Sequence, residues 1–497
     1  MGHNEITIRL QDEVYMKIEC ERGLAKEISE YFTFQVPNYQ FTPAYKNKIW
    51  DGQIRLYNLY RQTLYVGLKD YLIQFADDRD YKINNEIKDD QKVTTTKNVV
   101  KYMKEHLKVP FKPYDHQIEA IKHAIQYKRS LLLSPTGSGK SLIIYTLMRY
   151  YLDILPEDKK ILIIVPTVGL VSQMQSDFKD YSEGVEWSVS DASHAIYSGQ
   201  GKTTPKRIVI STWQSIFKEK ESYFKQFGCV FGDECHLFKA KSLTSIMTKL
   251  TECPYRIGTT GTLDGSYTHK LVIEGLFGRV FNVTTTKELM DENLLSTLNI
   301  DCITLKYGMN DIQEIKRAKY DEEIKWLIRN EDRNNFITEL VSTLKGNTLL
   351  LFNYVKEHGI PLHKRIEERS NKNVYMIHGG TSIEQREQIR KIVDKKTNSV
   401  LVASYGTCST GINIRNIHNI VFASPSRSVI RVLQSIGRGL RKSDSKDKVK
   451  LYDISDDLRY LKYENHTYRH LQERIKIYSN ERFSFKPVKI DLTGDKT

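Results

Sequence analysis

From about residue 130 onward, short unbroken apolar runs alternate with longer helical stretches. One series reads LLL (131–133), ILIIV (161–165), IVI (208–210), CVF (229–231) and RIG (256–258). A second reads TLLLF (348–352), NVYMI (373–377), VLVA (400–403), IVFA (420–423) and VKLYDI (449–454). Unbroken runs rich in Leu and β-branched residues suit strands covered on both faces. Strand and helix in alternation imply parallel sheets with right-handed crossovers. The pattern predicts an α/β chain with two tandem parallel-sheet domains and a less regular segment near 280–345 between them.

Residues 1–105 follow a different rhythm. They are polar and Tyr-rich, with FTPAYKNKIWDGQIRLY (41–57) as the most distinctive piece, and predict a small α+β domain. NNEIKDDQKVTTTKN (84–98) lacks apolar periodicity and holds the expected boundary. The tail is basic and helical in pattern (YRHLQERIKIY, 468–478). The expected domains are therefore 1–105, 106–290, 291–455 and a short helical C-terminal extension, 456–497. No internal repeat or low-complexity tract is present.

Length and composition narrow the class. A chain of 497 residues exceeds one core, so several domains are expected. No apolar run is long enough to span a bilayer, and the first residues lack the apolar segment of a signal peptide. The expected location is the cytoplasm, that of the host if the chain is phage-encoded. Six scattered cysteines form no C-x-x-C pair, which points to reduced thiols rather than a zinc knuckle. The net charge of +14 suits a polyanionic partner.

The candidate chemistry begins at LLLSPTGSGKS (131–141). A loop between a buried strand and a helix start presents backbone N–H groups and a positive dipole end to an anion. Pro135, Thr136, Gly137, Ser138 and Gly139 form the expected phosphate cradle. Lys140 would reach the terminal phosphates, and Ser141 would hold Mg²⁺. Ser134 stands where the usual pattern has glycine; a small residue serves there if the position only turns the chain. Downstream, VFGDECH (230–236) ends a buried run in two carboxylates. Asp233 is the candidate Mg²⁺ contact, and Glu234 the candidate that polarises the attacking water. In RSVIRVLQSIGRGLRK (427–442), Val429, Leu433, Ile436 and Leu440 share one helical face, while Gln434, Arg438 and Arg441 share the other. That second face suits two guanidinium groups on a γ-phosphate.

Seven motifs stand in one order: SPTGSGKS, IVPTVGLVSQM (164–174), STWQS (211–215), DECH, GTTGT (258–262), ASYGTCSTGINI (403–414) and QSIGRGLR. This series resembles superfamily 2 helicases of the DECH-box type. The W-D-G-x-I-R-L piece (Trp50, Asp51, Gly52, Ile54, Arg55, Leu56) extends the likeness to phage recombination helicases and to nearly the whole chain. The resemblance implies two RecA-like domains with ATP between them, and Arg438 and Arg441 as arginine fingers. It implies Gln117 as the adenine reader, Gly411 as a nucleotide sensor, and His236, Thr260 and Gln434 as coupling residues. The expected cofactors are ATP and Mg²⁺. The implied activity is 3′→5′ unwinding or branch migration of forks, Holliday junctions, displacement loops or RNA–DNA loops by a monomer.

Small hydroxyl and glycine-rich loops beside those motifs suit backbone phosphates. Thr167, Gln173, Thr212, Gly379, Gly380 and Thr410 are the candidates, with Trp50 and Arg55 in the N-terminal domain. Two other readings remain: a duplex translocase without strand separation, and a non-catalytic nucleic-acid-binding protein. Intact Lys140, Asp233, Glu234, Arg438 and Arg441 speak against the second.

Overall fold

The computed structural model describes residues 4–36, 39–88, 92–197, 199–235, 241–261, 263, 267–409, 414, 416–424, 437, 440 and 448–493. The chain divides into two compact units, Met1–Ser134 with Gly139–Val283, and Thr284–Thr497 with Pro135–Ser138.

The first unit opens on a small domain. Strands β1 (Glu5–Leu10) and β2 (Tyr15–Glu19) are followed by helix α1 (Arg22–Tyr31). A short hairpin, β3 (Thr33–Gln35) and β4 (Gln53–Arg55), precedes β5 (Thr63–Tyr65), helix α2 (Lys69–Asp77) and β6 (Lys82–Asn85). The main sheet runs β5-β2-β1-β6, and only the β1–β6 pair is parallel. Alternation sets its core: Ile6, Ile8, Met16 and Ile18 are fully buried against Leu24, Ile28, Leu72 and Phe75 of the two helices.

Next come α3 (Asp115–Tyr127), β7 (Arg129–Leu133), α4 (Lys140–Ile154), β8 (Lys160–Val165), α5 (Val168–Tyr181), β9 (Ser193–Ile196), β10 (Ile208–Thr212) and β11 (Phe227–Asp233). Helix α6 (Lys241–Thr248), β12 (Tyr255–Thr260), α7 (Tyr267–Phe277) and β13 (Val280–Asn282) complete the unit. The seven strands form a wholly parallel sheet in the order β13-β7-β12-β11-β8-β10-β9. Ile161 to Val165 are all buried, which explains a run without alternation.

The small domain packs directly on this sheet's helices. A side chain on Gly67 would meet the Glu274 carbonyl of α7, and one on Gly275 would meet the Tyr65 ring. Tyr71 donates to Glu274 at 2.8 Å, Leu271 joins the small domain's core, and Arg129 pairs with Glu13. Arg256 is fully buried and, among the described residues, forms no ion pair. Its guanidinium donates to the carbonyls of Met247, Leu250, Cys253 and Leu276 at the ends of α6 and α7. Helix C-termini carry partial negative charge, so they satisfy a cation there.

The second unit contains β14 (Thr297–Lys306), α8 (Tyr320–Arg329), α9 (Glu331–Thr343), β15 (Thr348–Phe352), β16 (Asn373–Ile377), β17 (Ser399–Ser404), β18 (Asn419–Phe422), β19 (Lys448–Asp457), α10 (His466–Asn480) and β20 (Ser484–Asp491). These strands form a second wholly parallel sheet, β16-β17-β15-β18-β19-β14-β20. The tail expected to be helical carries its helix as α10 and adds the edge strand β20. The segment expected to be irregular holds β14. Among the described residues, no helix is long and apolar enough to cross a membrane, and all six cysteines are free.

Candidate functional site

The carboxyl ends of β7, β12, β11, β8 and β10 place the first-half candidates along one sheet edge, where open α/β sheets bind ligands. Ser134 follows β7 and is fully buried. Its N–H donates to the Thr260 carbonyl at 2.8 Å, and its own carbonyl accepts from Lys140 Nζ at 3.1 Å. Gly137 (φ 93°) and Gly139 (φ 82°) occupy the left-handed region, where a Cβ is costly; Ser134 does not. The backbone therefore tolerates serine at 134 and asks for glycine at the two later positions. Ser138 donates to the Pro135 carbonyl at 2.8 Å, closing the turn. Lys140 and Ser141 open α4.

Gln117 is buried on α3, and its Oε1 accepts from the Tyr114 N–H at 3.0 Å. A Cβ on Gly139 would lie 2.1 Å from Gln117 Nε2. The candidate adenine reader and the phosphate loop are thus packed against each other. Gly139→Ala combines a forbidden backbone angle with this collision. It is expected to weaken ATP binding at least tenfold, about 1.4 kcal/mol, in a fluorescent-nucleotide titration. Affinity within twofold of the unmodified chain would mean that this loop does not meet the nucleotide.

Asp233 ends β11, directly across from Thr259 of β12. Its Oδ1 accepts from the Thr259 hydroxyl at 2.8 Å and from the Glu234 N–H at 3.0 Å. Burial and the neighbouring Glu234 carboxyl push the Asp233 carboxyl up from its ordinary range, against the opposing pull of Lys140 and the Thr259 hydrogen bond. Glu234 has φ 55°, a strained angle for a residue with a side chain. Such strain costs on the order of 1–3 kcal/mol and clusters at functional sites. The Asp233 carboxylate and the Ser141 hydroxyl are hard oxygen donors, the type that suits Mg²⁺ held largely by phosphates and water. Among the described residues, no cluster of three or more His, Cys, Asp or Glu could hold a metal by itself.

Thr167 follows β8 and Thr212 ends β10, neighbouring strands whose last residues, Val165 and Thr212, are in register. Thr167 caps α5 by accepting from the Leu170 N–H, and Thr212 shares a 2.9 Å hydrogen bond with Ser215. Gln173 lies on α5, half-buried. In the second unit Gly379 and Gly380 form an exposed turn after β16, held by Arg386 donating to the His378 and Gly379 carbonyls. In the N-terminal domain the Trp50 indole N–H donates to the Gln53 carbonyl, and Arg55 pairs with Asp51 at 2.5 Å. Gly52 (φ 81°) sits so tightly on the Tyr39 ring that no Cβ fits. These W-D-G-x-I-R-L residues hold the β3–β4 hairpin together. His236, Thr410, Gly411, Gln434, Arg438 and Arg441 lie outside the described residues.

Two contacts were not foreseen from the motifs. Thr259, one residue before the named Thr260, holds Asp233, and its only sequence signal is its place in GTTGT. Tyr181, at the end of α5, shares a 2.8 Å hydrogen bond with the Ser141 hydroxyl. No motif marks it.

Two parallel sheets, with a phosphate loop and paired carboxylates on one carboxyl edge of the first, define the core of a superfamily 2 helicase. Family models agree: "Type III restriction enzyme, res subunit" matches residues 110–265, "Helicase conserved C-terminal domain" 332–443, and "DNA helicase UvsW, N-terminal" 5–86. The ATP-dependent DNA helicase UvsW of Enterobacteria phage T4 is 31% identical over 98% of this chain and 100% of its own length. Its crystal structure aligns over 98% of this chain and 100% of that one, with 29% identity and a TM-score of 0.51. The DNA 3′-5′ translocase XPB2 of Sulfurisphaera tokodaii is 29% identical over 30% of each chain. The chain belongs to the UvsW family of superfamily 2 helicases and is an ATP-dependent DNA helicase.

Proposed function

We propose that the chain unwinds or branch-migrates forks, Holliday junctions, displacement loops and RNA–DNA loops in phage recombination, repair and replication, moving 3′→5′ as a monomer in the host cytoplasm. The observation that carries this reading is the shared carboxyl edge in the first sheet: loop 134–141 after β7, Asp233 at the end of β11, Thr167 after β8 and Thr212 at the end of β10. Chemistry and strand grip belong to one rigid sheet, so a change at the phosphates reaches the grip through neighbouring strands. In this reading residues 1–105 and the second sheet domain, 291–455, supply further DNA contacts. T4 UvsW matches this chain from end to end, which favours its kind of activity over the type III restriction module matched by 110–265 alone.

In the proposed reaction Gln117 selects adenine, and the N–H groups of 135–139 cradle the phosphates. Lys140 balances charge on the terminal phosphates. Ser141 and Asp233 would hold Mg²⁺, which would supply positive charge against the phosphate oxygens. Glu234 orients the attacking water, and its fixed backbone angle aims the carboxyl. Arg438 and Arg441 stabilise the transferring phosphoryl group. Gly411, His236, Thr260 and Gln434 link nucleotide state to the DNA contacts. Those contacts include Thr167, Gln173, Thr212, Gly379, Gly380 and Thr410, which grip phosphates without reading sequence.

Arg441→Ala is expected to lower turnover by roughly 10³-fold or more, while ATP affinity changes only a few-fold, because a finger acts in the transition state. A loss confined to affinity would reassign Arg441 to ground-state binding. The function itself is tested by an unwinding panel of fork, junction, displacement-loop and RNA–DNA substrates with both overhang polarities. Equal activity on branched DNA and on a plain blunt duplex would overturn the branched-substrate assignment. Faster unwinding from 5′ overhangs would overturn the polarity.

A further inference from the structure

Ser141 stands in the first turn of α4, and its hydroxyl is the oxygen proposed above to meet magnesium. A serine hydroxyl carries one proton and two lone pairs, and it rotates to suit its surroundings. An oxygen that ligates a cation must turn a lone pair towards it and direct its proton elsewhere. The group that receives that proton's hydrogen bond decides how well the oxygen is set before the cation arrives.

Among the described residues, the Ser141 hydroxyl has one hydrogen-bond partner, the Tyr181 hydroxyl at 2.8 Å. Tyr181 is the last residue of α5 and is half-buried. Its ring is held from two sides. Phe111, in the segment leading to α3, meets it edge-on, with centroids 5.6 Å apart and planes at 80°. Tyr145 of α4 meets it at 5.6 Å and 64°. Edge-to-face pairs of this kind orient a ring as well as bury it.

Tyr145 is fully buried one turn after Ser141, on the same face of α4. Its hydroxyl accepts from Arg149 at 3.1 Å, and its ring packs on Phe178 of α5 at 5.5 Å. The Arg149 guanidinium in turn lies 4.4 Å from the centre of the Trp187 ring. This cluster fixes the end of α5 against the start of α4, where the two hydroxyls meet. Tyr181 Oη is therefore placed by packed aromatic rings and not by the Ser141 hydrogen bond alone.

We propose that Tyr181 is a positioning residue for magnesium: its hydroxyl accepts a hydrogen bond from Ser141 and so leaves the Ser141 lone pairs turned towards the nucleotide phosphates. The proposal rests on the reading of Ser141 as a magnesium ligand. Removing the group behind a metal-ligating side chain commonly costs about 10- to 100-fold in metal affinity or activity. Tyr181 acts here only through Ser141, which gives its loss a specific signature.

Tyr181→Phe keeps the ring with its edge contacts and removes one oxygen. The probe is Mn²⁺, a divalent cation that also favours oxygen ligands. It is titrated by electron paramagnetic resonance into the full chain holding a non-hydrolysable ATP analogue. In Tyr181→Phe the Mn²⁺ affinity is expected to fall about tenfold, while affinity for the analogue in excess EDTA stays within about twofold. Ser141→Ala is expected to lose at least as much Mn²⁺ affinity. The double variant Ser141→Ala/Tyr181→Phe is expected to lose no more than Ser141→Ala, because the phenol then has nothing to orient. Additive losses would place the effect of Tyr181 elsewhere and overturn the proposal. Unchanged Mn²⁺ affinity in Tyr181→Phe would overturn it too, as would tighter binding, the mark of a hydroxyl that competes with the cation. Equal losses of Mn²⁺ and of metal-free analogue would make Tyr181 a support of the loop and not of the metal, which also overturns it. Unchanged Mn²⁺ affinity in Ser141→Ala would instead remove Ser141 from the metal site, whatever Tyr181→Phe does.

Discussion

Replacing Lys140 with alanine is expected to lower DNA-stimulated ATP turnover by 10²- to 10³-fold or more while DNA affinity stays within about threefold. The ammonium sits at the first turn of α4 and reaches back to the Ser134 carbonyl, so it is held over the loop 134–139. Preorganised charge of this kind, placed where negative charge develops, is worth on the order of 3–4 kcal/mol in mutational studies of other enzymes. Alanine also removes the positive charge that opposes the upward push on Asp233. The DNA candidates Thr167 and Thr212 are held by their own caps on other strands, so the grip has no reason to fail with the chemistry. Phosphate release with and without single-stranded DNA, paired with fluorescence anisotropy, separates the two effects. Turnover within fivefold of the unmodified chain would show that residues 134–141 are not the phosphate loop.

The turn at 134–139 was legible in the sequence because its constraint is local. Two glycines stand at fixed spacing between a buried strand and a helix because both positions take positive φ, and the lysine and hydroxyl follow them at the helix start. The Ser134 departure was also legible, since only positive φ demands glycine, and that position does not need it. Strands buried on both faces announced themselves as unbroken apolar runs. The strands β14 and β20 did not. Their sequences, TLNIDCITLK and SFKPVKID, interleave polar residues because they lie at one end of the second sheet, and β20 has a solvated edge. The W-D-G-x-I-R-L piece was recognisable as a motif, but its hairpin role was not. Trp50, Asp51 and Arg55 bond within the turn, and nothing in residue type distinguishes an arginine facing a phosphate from one facing Asp51. Thr259 and Tyr181 were silent for a related reason: they act through strand register and a helix end, which depend on tertiary packing.

The least legible feature is the pair of buried charges on β19, of which only Asp453 fell within the apolar run read from sequence at 449–454. Asp453 and Asp456 stand three residues apart and so face opposite sides of the strand. On one side Asp456 accepts from Arg333 of α9 and from the Tyr307 hydroxyl; on the other Asp453 holds Arg474 and Tyr478 of α10. Arg474 is fully buried; its Nε donates to both Asp453 oxygens, Oδ1 at 3.0 Å and Oδ2 at 2.8 Å, and Nη2 lies 2.8 Å from Oδ1 in the same ion pair. Burial alone would lower the pKa of Arg474, but the Asp453 charge and hydrogen bond outweigh it and hold the pKa above the ordinary value. Asp453→Ala therefore leaves a guanidinium in the core without its counter-charge. The expected loss is about 3–5 kcal/mol, against a usual domain stability of roughly 5–15 kcal/mol. In the full chain it should register as accelerated amide exchange across β14, β19 and α10, and as an early urea transition that leaves the first unit's exchange unchanged. The double variant Asp453→Leu/Arg474→Met is expected to recover most of the loss, because an apolar pair of similar volume removes both desolvation penalties. Exchange in Asp453→Ala within 1 kcal/mol of the unmodified chain would show that water or another group already compensates Arg474. A double variant no better than the single one would place the stabilisation in packing around α10 rather than in the ion pair.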